Sequence, residues 1–178
     1  MPATLATARP AADEHVPYFS RYIDRVPGHD PLAALASQIE ETTALVLAAG
    51  EAKAGYRYAP DKWTVRDVIG HLMDSERVFA YRALRFGRGD ETPVPGFDEN
   101  IYVPGGNFNR RTLADVVAEF RAVRAATLAL FKGLEDDAWG RRGVASGNPV
   151  SVRALAWIAA GHELHHVAVL RERYGLAG

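Results

Sequence analysis

Thr64-Val65-Arg66-Asp67-Val68-Ile69-Gly70-His71-Leu72-Met73-Asp74-Ser75-Glu76-Arg77-Val78-Phe79-Ala80-Tyr81-Arg82-Ala83-Leu84-Arg85-Phe86-Gly87 reads as one long amphipathic helix. Thr64 stands where an N-cap belongs, with Asp67 three residues on in a near capping-box arrangement. Val65, Val68, Ile69, Leu72, Phe79, Ala83 and Phe86 recur at helical spacing and mark the buried stripe. Gly87 and Gly89 supply the stop. One apolar stripe of this length has to be covered by other elements of the chain.

The same signals recur on either side of it. Asp30-Pro31 reads as N-cap and first residue of a helix that runs through Leu47 and stops near Gly50, with Leu32, Leu35, Ile39, Thr43 and Leu47 in helical register. Thr112, followed at the third position by Asp115, caps a helix carried by Leu113, Val116, Val117, Phe120, Val123, Leu128 and Phe131. Ser151 caps another, with Leu155, Ile158, Val169 and Leu170 inward and Gly175 as its stop. A shorter helix over residues 18–23 precedes the first, and no segment reads convincingly as a strand. The prediction is an all-α fold, a four-helix bundle with a short N-terminal helix. Residues 1–14 are expected as a flexible N-terminus and residues 15–178 as a single domain.

At 178 residues the chain suits one domain with a proper core. A net charge of -1 gives no basis for a nucleic-acid surface or a polybasic membrane patch. The chain contains no Cys, which excludes disulfides, thiolate metal ligands and a cysteine nucleophile. No signal-peptide-like stretch is visible, and no uninterrupted apolar run reaches the ~18 residues of a membrane span. The expectation is a cytoplasmic protein with a small-molecule substrate, no nucleic-acid partner and no membrane association.

The histidines carry the chemistry. His162 and His166 are four residues apart on a helix, which places them on one face about 6 Å apart along the axis. Imidazoles so placed can converge on one ion at roughly 2.0–2.1 Å. His165 points about 100° away and cannot join them. His71, at the border of the stripe beside Val68 and Leu72, faces the bundle interior and is the candidate third ligand. Three imidazoles with one open position make a catalysis-competent site for a divalent ion; such a site accepts Zn, Ni, Fe, Co or Cu, and Zn or Ni is expected here. His15 and His29 have no patterned partner and read as surface residues.

His162-Glu163-Leu164-His165-His166 also spells the zinc-protease pattern, with Glu163 as general base. Only twelve residues follow His166, none of them His or Asp, and the one acid left, Glu172, lies on the same helix and too close in sequence to serve as the usual third ligand of that arrangement. Glu163 and Asp74 remain as catalytic candidates, each able to support a liganding histidine through its free ring N–H. Glu163 reads equally as solvent-exposed and Asp74 as a surface acid. Arg82 lies eleven residues after His71, on nearly the same face, and is placed to anchor a carboxylate of a substrate or thiol cofactor or to pair with a surface acid. The connection over residues 87–111 is long for a bundle, where about 2–8 residues is usual, and reads either as a site wall or as a packed crossover. It brings Asp98 and Tyr102 as further substrate-binding candidates. Trp63 and Trp157 suit the core better than a pocket wall. The connection over residues 134–150, with Trp139 and Pro149, is expected to pack across the end of the bundle.

Trp63-Thr64-Val65-Arg66-Asp67-Val68-Ile69-Gly70-His71-Leu72, then Asp74-Ser75-Glu76-Arg77 and Gly161-His162-Glu163-Leu164-His165-His166, resemble the DinB/YfiT-like superfamily. Tyr22-Ile23-Asp24-Arg25-Val26-Pro27-Gly28 and Arg82-Ala83-Leu84-Arg85-Phe86 fit its YfiT-like branch. The resemblance spans residues 18–174. It implies a four-helix bundle with a metal on one histidine of the second helix and two of the fourth, matching His71, His162 and His166, and it implies homodimers.

The same resemblance implies metal-dependent transfer of small substrates to a low-molecular-weight thiol, or metal-dependent hydrolysis. A bound cation lowers the pKa of a coordinated water toward about 7 and deprotonates a coordinated thiol. Without Cys, a thiolate has to arrive with a cosubstrate. Three readings stand: a metal-dependent thiol S-transferase, a metal-dependent hydrolase of a small amide or ester, and a non-catalytic metal-binding stress-response protein.

Overall fold

The computed structural model describes residues 7–177. The described residues form six α-helices: α1 (Ser20–Ile23), α2 (Pro31–Ala54), α3 (Val65–Gly87), α4 (Glu99–Gly106), α5 (Leu113–Lys132) and α6 (Val152–Glu172). The four long ones form the bundle. Each of α2 and α3 packs against both α5 and α6, so the first two long helices in the chain lie across the bundle from one another rather than side by side.

The caps work as their side chains allow. Asp30 accepts from the N–H groups of Leu32 and Ala33 at 2.8 and 3.2 Å, with Pro31 at the first helical position. Thr64 and Asp67 form a reciprocal capping box, both bonds 3.0 Å long. Thr112 caps α5 through Asp115 N–H, but the Asp115 carboxylate turns to Arg111 at 2.6 Å. Ser151 accepts from Ala154 N–H at 2.9 Å and opens α6. Helix α2 continues one turn past its expected end, with an interruption at Gly50, where φ is 74°. Leu47, expected inward, is exposed, and Leu45 and Val46 take the buried face. By length and composition α2 could cross a membrane, but here it forms one wall of the bundle and buries Leu35 and Val46 completely.

Other expectations need correction. The chain does contain strands: β1 (Arg142–Ala145) pairs antiparallel with β2 (Asn148–Ser151) around Ser146-Gly147, whose φ values of 53° and 76° are those of a tight hairpin turn. At four residues each they are too short to show a period. The residue 87–111 connection holds α4 and a 3-10 turn at Phe108–Arg110, hidden from a propensity reading by Pro104, Gly105 and Gly106. It also sends Val94 to bridge Ala145 beside the hairpin.

Residues 7–14, expected as a flexible lead, pack against the bundle; residues 1–6 of that lead lie outside the described residues. Trp157 Nε1 donates to the Thr7 carbonyl at 3.1 Å, and Arg9 donates to the carbonyls of Ile23 and Val26 while its guanidinium lies 4.5 Å over the Trp157 ring. Glu14 is buried and accepts from Ser151 Oγ at 2.7 Å and Arg153 Nη2 at 2.8 Å. His15, expected at the surface, is buried beside it, with Nδ1 2.9 Å from the Val16 carbonyl oxygen.

Candidate metal centre

Helix α3 presents His71 and helix α6 presents His162 and His166 to one point. The Nε2 atoms of His71 and His162 are 3.1 Å apart, and one ligand nitrogen from each of the three rings lies within 4.8 Å of the others. Two imidazole nitrogens facing at 3.1 Å share either a proton or a cation. A tetrahedral site with bonds of 2.0–2.1 Å places its donors about 3.3 Å apart, so three converging nitrogens fit a single divalent ion after a small closure.

The surroundings keep these rings neutral. Burial, then the positive charge of His165, lowers His71 to about 4. Burial, then the neighbouring imidazoles and Arg21, lowers His166 to about 2 and holds His162 well below the ordinary imidazole value. Neutral imidazole is the form that ligates a metal. Aromatic contacts orient the rings. Trp63 lies tilted on His71 at 4.8 Å between centroids, and the Tyr22 and Phe79 rings meet His162 edge-on at 5.3 and 5.8 Å. Among the described residues no protein acceptor takes the second ring nitrogen of any of the three.

The histidines open on a cavity of about 340 Å³ walled by Tyr22, Trp63, Ser75, Phe79, Arg82 and Phe97, among others. Trp63, read from sequence as core, is therefore half-buried at the site, whereas Trp157 is fully buried in the core. Arg82 shares the cavity with His71, in keeping with their common helix face. Its Nη2 donates to Ser146 Oγ at 2.9 Å and to the Pro95 carbonyl at 3.2 Å, and it pairs with no acid among the described residues.

The other candidates are placed elsewhere. Asp74 pairs with Arg77 at 3.3 Å and supports no ring nitrogen. Glu163 is neither exposed nor turned to the histidines: its carboxylate accepts from Arg124 Nη2 and Thr42 Oγ1, both at 2.6 Å. Arg124 also forks onto both oxygens of Glu76 at 2.8 Å. Glu163 thus ties α6 to α2 and α5 through Thr42 and Arg124, with both carboxylate oxygens engaged away from the imidazoles, and the protease pattern has no general base. Asp98 caps α4 through Asn100 N–H, and Tyr102 packs exposed on Phe97 at 5.4 Å. Tyr22, Phe79 and Ser146 join the site without a signal in the sequence: the first two look like ordinary core positions, and Ser146 sits in a hairpin too short to show a period.

The family model of the DinB superfamily matches residues 34–170, which take in all three histidines. The chain belongs to the DinB superfamily. Among solved structures, this DinB chain is similar to YfiT from Bacillus subtilis, described as a probable metal-dependent hydrolase with an unusual four-helix bundle topology. The TM-score is 0.69 at 19% identity over 94% of each chain. It is also similar to the mycothiol-dependent maleylpyruvate isomerase, with a TM-score of 0.68 at 14% identity, over 83% of this chain and 60% of that one. At these identities the likeness establishes the DinB bundle fold. No curated protein matches in sequence.

Proposed function

We propose that this protein is a metal-dependent enzyme that holds one divalent ion, Zn or Ni, on His71, His162 and His166 and joins small electrophilic substrates to a low-molecular-weight thiol. The observation that carries the reading is the convergence of three neutral imidazoles at the wall of an open cavity of about 340 Å³. A divalent ion bound there supplies Lewis acidity, which lowers the pKa of a coordinated thiol or water. The chain contributes the rest. Trp63, Tyr22 and Phe79 fix the imidazole planes and keep water from their backs. Arg82 places a fixed positive charge on the cavity wall. With no Cys in the chain, the thiol comes from solution. The likeness of the fold to a mycothiol-dependent isomerase supports a thiol cosubstrate.

Hydrolysis of a small amide or ester is the second reading, favoured by the description of YfiT, whose chain matches this one nearly end to end. One experiment separates the two. Metal-loaded protein is assayed with 1-chloro-2,4-dinitrobenzene and a panel of small thiols that includes mycothiol, and with 4-nitrophenyl acetate in the absence of thiol. Conjugation that needs both metal and thiol supports the transferase. Ester turnover without thiol supports the hydrolase. Failure of both, in protein shown to contain metal, leaves a non-catalytic metal-binding protein.

A further inference from the structure

Arg82 is a buried cation without an anion. Its residue is 5% exposed, and among the described residues its Nε has no hydrogen-bond partner and its only protein acceptors are the Ser146 hydroxyl and the Pro95 carbonyl, both uncharged and both on Nη2. The other buried arginine, Arg124, is matched by two carboxylates. A buried guanidinium is costly unless something charged completes it. Burial alone lowers the Arg82 pKa, with no neighbouring acid to offset it.

Arg82 also stands on a boundary. On one side is the cavity of the three histidines. On the other is a second cavity of about 220 Å³ between the hairpin and the bundle, lined by Phe19, Phe79, Pro149, Val150, Leu155 and Ile158, with Ser146 and Asn148 as polar groups. Tyr18, Phe19, Phe79, Arg82 and Ser146 belong to both linings. A dry apolar cavity of about 150 Å³ is enough for a benzene ring, so this one admits a phenyl-sized group. Planar guanidinium is matched to carboxylate, and Arg82 is the sole cation among the described residues that line the second cavity, which suits a monoanion rather than a phosphate.

We propose that Arg82 and the cavity behind it form the specificity subsite for a small monocarboxylate with a phenyl-sized apolar body. The carboxylate sits on Arg82, the apolar body lies against Phe79, Val150 and Leu155, and the reacting end faces the three histidines. This subsite deepens the enzymatic reading above and rests on it for that last orientation.

The test measures binding, not turnover. 3-Phenylpropionate, its uncharged amide, acetate and benzyl phosphate are titrated calorimetrically into the full-length protein after metal removal by chelation, so that no ion competes for the carboxylate. The expected result is 3-phenylpropionate binding at least about tenfold tighter than either the amide or acetate, which is the ~1.4 kcal/mol of one charge-assisted contact or one buried ring. Arg82→Gln abolishes the preference of acid over amide, and Arg82→Lys keeps part of it. Equal binding of acid and amide to the unmodified protein overturns the subsite, as does a preference that survives Arg82→Gln. Tighter binding of benzyl phosphate overturns the monocarboxylate assignment. Should Arg82→Gln fail to fold by circular dichroism, the acid, amide and acetate titrations of the unmodified protein and the Lys variant decide. A negative thiol or ester assay leaves this result untouched, so the two proposals fail separately.

Discussion

Gly161 lies against the backbone of Tyr22, so close that a Cβ on Gly161 would stand 2.0 Å from the Tyr22 carbonyl oxygen. The contact seats α1 on α6 one residue before His162, and it brings the Tyr22 ring edge-on to that imidazole. Gly161→Ala has to push α1 away. Overpacking of this kind costs about 1–3 kcal/mol. Urea denaturation is expected to show that loss, and the variant should retain less metal than the parent because His162 loses one of its supports. A variant with unchanged stability and metal content would show that α1 does not brace the site.

Arg124 is the hub of a buried ionic cluster with Glu76 and Glu163, surrounded by Leu72, Phe79, Phe120 and Ala159. Arg124→Met leaves two buried carboxylates without a counter-charge and is expected to cost about 3–5 kcal/mol in urea denaturation. Adding Glu76→Leu and Glu163→Leu to that variant removes the uncompensated charges and should recover at least half of the loss. A single variant as stable as the parent would mean that the cluster is not closed to water.

Glu14 ties the N-terminal segment to the start of α6. Burial raises its carboxyl, but hydrogen bonds from Arg153, the Ala11 N–H and Ser151 outweigh it, and the pKa falls below the ordinary 4.5. The unfolded chain therefore takes up the proton first. The stabilisation is present above pH 4.5 and is lost as pH falls through the lower folded value. Glu14→Gln is expected to cost about 1–3 kcal/mol at pH 7 and to flatten the acid limb of a stability profile between pH 5 and 3. Parallel profiles for parent and variant would exclude Glu14 as a contributor to acid sensitivity.

The long helices were legible because each signal was local. Thr64 and Asp67, Asp30 and Pro31, and Ser151 all act within three residues of themselves. The three histidines were legible for the same reason, since the spacing of His162 and His166 puts them on one helix face and His71 borders the stripe of another. What sequence hid was set by partners far away in the chain. Glu163 reads as a candidate base until Arg124, on a different helix, claims it. Residues 7–14 read as a loose lead until Glu14 finds Ser151 and Arg153 about 137 positions later. Asp98 reads as a pocket acid until α4 forms behind it. Four-residue strands around Ser146-Gly147 are too short for periodicity to register.

The central claim is that His71, His162 and His166 hold one metal ion, and metal content tests it most directly. Protein purified and reconstituted with Zn or Ni is compared by elemental analysis with a His166→Ala variant that has been shown to fold by circular dichroism. The account predicts about one equivalent of metal in the parent at pH 7, where all three imidazoles are neutral, and a loss of at least tenfold in retained metal for His166→Ala, in the range expected when a metal site is disrupted. A parent that takes up no metal, or a variant that keeps its full equivalent, would contradict it and reduce the three histidines to packing residues.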